Sequence, residues 1–192
     1  MTIFYTSDQH FGHKNILTMG KGRPFNSIEE MQQIMISKWN KKVQPDDTVY
    51  ILGDFCWGFN SKKIKELVSK LNGNKILIVG NHDRLNDYYK SASFQDIVSY
   101  HEVKDGDDRV VLFHFPISEW NGYYYGSYHL YGHTHGTYQL LEETSKRNRA
   151  NTNCWDVGVD NNDFEPVSLE EIKQRIRQYI EDLNVNKSWK KK

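Results

Sequence analysis

Residues 75–83 read Lys-Ile-Leu-Ile-Val-Gly-Asn-His-Asp, an aliphatic run that stops at a glycine and passes directly into an amide, an imidazole and a carboxylate. A run this short and this apolar fits a strand covered on both faces. Upstream, Ser61 opens a helix whose Ile64, Leu67, Val68 and Leu71 form one stripe, with Asn72-Gly73 as its stop. Before it, Pro45-Asp46-Asp47 turns the chain into a strand over 48–52 that ends in Gly53-Asp54. Ser27 with Glu30 makes a capping box for an earlier helix carrying Ile28, Met31, Met35 and Trp39 on one face. A first strand over 2–6 runs into Asp8-Gln9-His10. Residues 1–79 thus alternate strand and helix, the pattern of a parallel sheet with crossover helices.

Beyond a short helix near 84–91 the pattern changes to strands, expected over 97–103, 109–115, 128–132, 137–142 and 155–159. Asp105-Gly106-Asp107-Asp108 supplies a turn between the first two. Ser168 and Glu171 cap a last amphipathic helix bearing Ile172, Ile176 and Ile180. A strand-rich second half implies a second sheet packed on the first. No repeat, low-complexity linker or composition break divides the chain, so residues 1–192 read as one domain with a basic tail at 187–192.

Lys plus Arg and Asp plus Glu both number 25, so net charge pulls the chain toward neither nucleic acid nor membrane. The tail is read as solvated. Two cysteines, Cys56 and Cys154, make no disulfide scaffold. The first residues lack a signal peptide's basic start and apolar core, and no stretch is long enough to span a bilayer, so a soluble, cytoplasmic protein is expected.

Five apolar runs end in metal-seeking groups. They end at Asp8-Gln9-His10, Gly53-Asp54, Gly80-Asn81-His82-Asp83, His114 and Gly132-His133-Thr134-His135. Each motif is weak alone, but seven of the eight histidines lie in or beside these runs, and only His101 stands apart. Open α/β sheets gather ligands at strand ends. Gly53, Gly80 and Gly132 each precede a candidate ligand, where a sharp turn off the strand calls for positive φ.

In this order the motifs resemble the signature of the calcineurin-like metallophosphoesterase superfamily, from Asp8 to His135, with no element missing. The resemblance is to a small, uncapped member. It implies an α/β fold, a two-sheet β-sandwich of mixed sheets flanked by α-helices, with a dinuclear metal centre at the strand ends. Carried over motif by motif, Asp8, His10 and His135 hold one divalent ion. Asn81, His114 and His133 hold the other, and Asp54 bridges them. Mixed nitrogen and oxygen donors suit Mn²⁺ first, with Fe, Zn²⁺, Ni or Co as alternatives, better than Mg²⁺ or Ca²⁺.

Such a pair of ions activates a bridging hydroxide for attack on phosphorus. The leaving oxygen then needs a proton, which His82 is suited to donate, with Asp83 fixing its orientation. The reaction expected is phosphoester hydrolysis, with a diester preferred to a monoester because no cluster to grip a polyanion is apparent. The alternatives are a phosphomonoesterase or nucleotide phosphatase, or a non-catalytic metal-binding scaffold. The expected partner is a small phosphoester or nucleotide; nucleic acid is not indicated.

Outside the signature, His13 and Arg23 either help hold a substrate phosphate or serve as a helix start and a structural ion pair. Trp57 either walls the pocket or packs, and Cys56 reads as a small buried residue. His129 is read as structural, and Asp156 and Asp160 as supports for loops or for the histidines. The Trp120–Tyr128 segment joins two motifs and is therefore expected near the site, where its tyrosines either stack on a base or cover a sheet.

Overall fold

Side chains alternate across the pleat, and a strand between two layers needs an apolar group on each face. The first three strands meet that demand. In the computed structural model, which describes residues 1–20, 22–138, 140 and 152–189 with side chains to 183 in the last helix, β1 (Ile3–Thr6), β2 (Thr48–Ile51) and β3 (Asn74–Ile78) are parallel neighbours. Phe4, Val49, Ile51 and Leu77 face α1 (Ile28–Lys42) and α2 (Ser61–Val68) in one core. Tyr5, Tyr50, Leu52 and Ile78 face a second core shared with the other sheet.

The first sheet has the order β4-β3-β2-β1-β9, and the second β5-β6-β7-β8. Strand β4 (Asp96–Val98) follows α3 (Leu85–Ser91) and extends the parallel set. In the second sheet β5 (Tyr100–Asp105) is antiparallel to β6 (Asp108–Phe113), which runs parallel to β7 (Tyr128–Tyr131) and through it to β8 (Cys154–Asp156). The two-residue β9 (Val167–Ser168) pairs antiparallel with β1, and α4 (Leu169–Trp189) buries Ile172 and Ile176 in the core between the sheets. The architecture is α/β with two mixed sheets packed face to face and helices flanking them, as the motif order implied.

Local chemistry sets the helix ends. Ser27 Oγ accepts the amide of Glu30 at 3.1 Å, while the Glu30 carboxylate reaches one residue further back, to the Asn26 amide at 2.6 Å. Ser168 and Glu171 make the reciprocal box, their amides meeting the opposite side chains at 2.8 and 3.4 Å. Such caps are worth about 1 kcal/mol each. Helix α2 ends at Val68 rather than at Asn72, because Ser69 Oγ turns back on the Glu66 carbonyl at 3.0 Å and Lys70 N bonds the Leu67 carbonyl at 3.0 Å, tightening the last turn.

Three other expectations are corrected. The strand expected over 97–103 is two strands broken at Ser99: Ile97 pairs with Leu77 in one sheet and His101 with Leu112 in the other. Of the strand expected over 137–142, Thr137 and Tyr138 belong to no strand and follow a turn in which the Thr137 amide bonds the Thr134 carbonyl at 2.9 Å; residues 139, 141 and 142 lie outside the described residues. The strand expected over 155–159 stops at Asp156, and Val159–Asn161 form a 3₁₀ turn. Among the described residues no helix is long and apolar enough to cross a membrane.

Candidate metal centre

The loops that leave β1, β2, β3, β6 and β7 meet at one edge of the molecule because all five strands end there. Each loop continues its ladder before turning away. Asp8 N bonds the Gly53 carbonyl, His10 N the Asp54 carbonyl and Gly132 N the His114 carbonyl, at 3.0, 3.0 and 2.9 Å. A further bond, from His133 N to Asp8 Oδ2 at 2.9 Å, ties the two sheets together at this edge.

The backbone there is strained where side chains must converge. Asp8, His10, Asp54, His133 and His135 all take left-handed φ, between 48° and 70°. Non-glycine residues in that region cost energy and persist only when their surroundings hold them. Positive φ was expected instead at the three preceding glycines. Only Gly53 shows it; at Gly132 a Cβ would overlap the Ser7 side chain and the Asp8 carboxylate, so close approach is what demands glycine.

Among the described residues two groups of donors are close enough to share an ion: Asp8 with His10 and His135, and Asp54 with His114 and His133. Asp54 Oδ2 lies 3.6 Å from His10 Nε2 and 3.6 Å from His114 Nε2, between the two groups. Asn81 Oδ1 sits 2.9 Å from His114 Nε2 and 3.0 Å from His133 Nδ1, joining the second group.

Divalent cations fit these residues. His114 Nδ1 donates to the Leu52 carbonyl at 2.7 Å, so Nε2 carries a lone pair, and it points at the oxygens of Asn81 and Asp54. Asp8 Oδ1 and both ring nitrogens of His10 are buried with no hydrogen-bond partner among the described residues. Burial holds the Asp8 carboxyl well above the usual carboxylate range, and burial followed by the neighbouring His135 pushes His10 down to about 2. Buried polar atoms left without hydrogen-bond partners are costly, and a cation held among them would relieve that cost.

Arg23 does not offer its guanidinium to a phosphate. It is 5% exposed, and its fork closes on Asp160 at 2.7 and 2.8 Å while its other protons reach the carbonyls of Asp8 and Gln9 at 2.7 and 2.9 Å. Asp160 in turn accepts His135 Nδ1–H at 2.7 Å, so Nε2 turns toward Asp8 Oδ1 at 3.9 Å. Burial opposes the Asp160 charge, but His135 and Arg23 outweigh it and hold the carboxyl low. Arg23→Leu takes the guanidinium from Asp160, which keeps the His135 proton, and from two loop carbonyls, and a loss of roughly 3–5 kcal/mol is expected. Denaturant unfolding of the metal-free protein checks it; an unchanged midpoint contradicts the clamp.

Asp83 also departs from its expected role. Its carboxylate accepts the amides of Asp54, Phe55 and Gly80 at 2.9, 3.1 and 2.8 Å and the Tyr88 hydroxyl at 2.8 Å, so it fixes the two loops rather than the His82 ring. Tyr88, which the sequence motifs did not mark, completes that anchor and also meets Cys56 Sγ at 3.1 Å.

His82 stands at the rim with its side chain 39% exposed and Nε2 3.9 Å from Asp54 Oδ2. Its amide donates to Asp54 Oδ1 at 2.9 Å. Trp57 packs edge-on against it at 5.0 Å and stacks on His13 at 4.7 Å, which brings His13 to the rim as well. Phe115 closes the other side, 4.7 Å from the ring of His133 and 4.8 Å from that of His114. Its place one residue past His114 was the only available signal.

The remaining residues support the frame. His129 is buried, accepting Ile117 N at Nε2 and facing the Val111 carbonyl with Nδ1, and burial pushes it down to about 4. Asp156 holds the 134–136 turn through Thr134 Oγ1 at 2.6 Å and Gly136 N at 3.0 Å. The tyrosine segment lies away from the centre. Because β6 and β7 are parallel, their connection must return to the strands' other end, where Gly122 sits beside Arg109 and Trp120 covers His129.

Comparison with known proteins agrees with this geometry. Residues 1–175 match the family described as Calcineurin-like phosphoesterase, and the chain belongs to it. The uncharacterized protein MJ1445 of Methanocaldococcus jannaschii is 34% identical over 179 residues, spanning 91% of this chain and 90% of its own length. The Gene 66 protein of Mycobacterium phage L5 is 27% identical over 172 residues, covering 75% of this chain and 82% of the phage protein. A solved structure, the protein of unknown function AQ665 from Aquifex aeolicus, superposes with a TM-score of 0.68 at 26% identity, covering 90% of this chain and 98% of that one. The chain is thus a member of a family of metal-dependent phosphoesterases and, among the described residues, carries two candidate metal-binding groups.

Proposed function

We propose that the protein is a dinuclear metal-dependent phosphodiesterase. The observation that carries this reading is the position of Asp54 Oδ2, 3.6 Å from a histidine of each donor group. Asp8, His10 and His135 would hold one ion, Asn81, His114 and His133 the other, and Asp54 both. Mn²⁺ is the first choice, since four of the seven proposed donors are histidine nitrogens, whereas Mg²⁺ prefers an oxygen-only set. When bound, the two ions would supply Lewis acidity that activates water and neutralises charge gathering on the phosphoryl oxygens.

The chain's own residues do the rest. His82, exposed at the rim and held by its amide to Asp54, donates a proton from its ring to the departing ester oxygen as the P–O bond breaks. The incoming water supplies the oxygen that phosphorus gains, and the imidazole is reprotonated from solvent. A diester is favoured over a monoester because Arg23 is engaged by Asp160 and the loop carbonyls, as in the ion-pair alternative, and is not free to meet the second negative charge of a monoester.

The test is hydrolysis of bis-p-nitrophenyl phosphate and p-nitrophenyl phosphate with added Mn²⁺, against a chelator control. Chelator-sensitive turnover favouring the diester is expected. Preference for the monoester overturns the diester assignment, and absence of turnover with two ions bound overturns the hydrolase reading in favour of a scaffold.

A further inference from the structure

A cleft of about 670 Å³ opens directly beside His133 and His135, within the range of about 300–1,000 Å³ typical of small-molecule sites. Met19, Pro24, Tyr138 and Phe164 give it apolar and aromatic walls, and Thr137 and Asn161 place uncharged hydrogen-bonding groups along them. Phe164 is a fixed wall. Its ring lies edge-on to Phe25 at 4.8 Å, and the Arg23 guanidinium rests 5.9 Å from its centroid.

Charge narrows the occupant. Among the described lining residues the charged pair is Arg23 and Asp160, which neutralise each other, and the Asp160 carboxylate is further engaged by His135. Nothing described in this cleft would compensate a second phosphate. Flat faces with scattered neutral donors and acceptors suit a planar heterocycle instead.

Position narrows it further. Trp57 touches both His13 and His82 on one flank of the centre, and none of the three lines the cleft. His10 lies between, its ring 5.5 Å from His82 and 5.1 Å from His135. The departing oxygen must lie near His82, so the cleft faces the arm that remains on phosphorus. We propose that this cleft binds a nucleoside as the retained arm of the diester, a substrate class that rests on the phosphodiesterase reading above.

Two substrates with one leaving group isolate this arm: thymidine 5′-(p-nitrophenyl phosphate) and methyl p-nitrophenyl phosphate. With Mn²⁺ the thymidine diester should have the higher kcat/KM by about tenfold, the scale of one stacked base. Met19 is 55% exposed, so Met19→Ala removes a wall without opening the core, and the thymidine advantage should fall at least about threefold. Equal kcat/KM for the two substrates, or an advantage that Met19→Ala leaves intact, overturns the proposal.

A second measurement needs neither variant nor metal. Thymidine titrated into the metal-free wild-type protein should shift the amide resonances of Gly136, Thr137, Asn161 and Phe164. Shifts confined elsewhere, or none at millimolar thymidine, overturn the cleft assignment while diester turnover still stands. Shifts at these residues without turnover of either diester support the nucleoside site and remove the hydrolase reading.

Discussion

Asp54→Ala is expected to lower diester turnover on the order of 10³-fold, the scale lost when a group that stabilises transition-state charge is removed, and to lower bound metal below two ions per chain. One carboxylate serves three ends. Its Oδ2 lies between His10 and His114, and its Oδ1 accepts the His82 amide. Asp54→Asn separates these duties, because the amide oxygen can still hold the His82 backbone while the negative charge between the donor groups is gone. It should therefore lose metal nearly as fully as Asp54→Ala. Metal-free Asp54→Asn should be no less stable than metal-free wild type, since a buried carboxylate with no cation beside it opposes folding. Elemental analysis after dialysis and denaturant unfolding read the two effects apart. Two ions retained per chain by Asp54→Ala contradicts the bridging assignment.

The fold was legible where one strand's needs show in its own residues. A parallel strand covered on both faces is apolar throughout, and Val49-Tyr50-Ile51-Leu52 and Ile76-Leu77-Ile78-Val79 announce that in sequence. The residues that follow such strands must lie at one edge, so the donor set could be assembled before any distance was known. Hydrogen-bond partners far apart in sequence were not legible in that way. Asp83 looked like a partner for its neighbour His82, but it meets the amides of Asp54 and Phe55 from another strand's loop. Arg23 could be read as a phosphate group or as a structural ion pair, and its partner Asp160, 137 residues away, decides for the pair.

Partner choice in the sheets was hidden for a related reason. Residues 97–103 carry one strand-like pattern, and nothing local says that Val98 belongs to the first sheet and Tyr100 to the second. The tyrosine segment was misplaced because proximity in sequence was taken for proximity in space. A connection between parallel strands has to traverse the sheet, so its middle falls at the end opposite both motifs.

His82→Ala separates proton donation from metal binding and from the fold. The side chain belongs to neither donor group, and its ring contacts are Trp57 and His10 at the rim, so the variant should bind two ions and keep its unfolding midpoint close to wild type. Its cost depends on the leaving group. An alkoxide or nucleoside oxygen departs poorly without a proton, and loss of a positioned acid should slow such diesters by about 10²–10⁴-fold. A p-nitrophenolate departs without that help, and its release should slow by less than about tenfold. The variant should therefore steepen the dependence of rate on leaving-group pKa, a signature that loss of binding alone does not produce. Equal slowing of both classes would make His82 a binding residue for the phosphate. Wild-type rates on the poor leaving groups would put the proton on another donor, with His13 next in reach because its ring stacks on the same Trp57 at 4.7 Å.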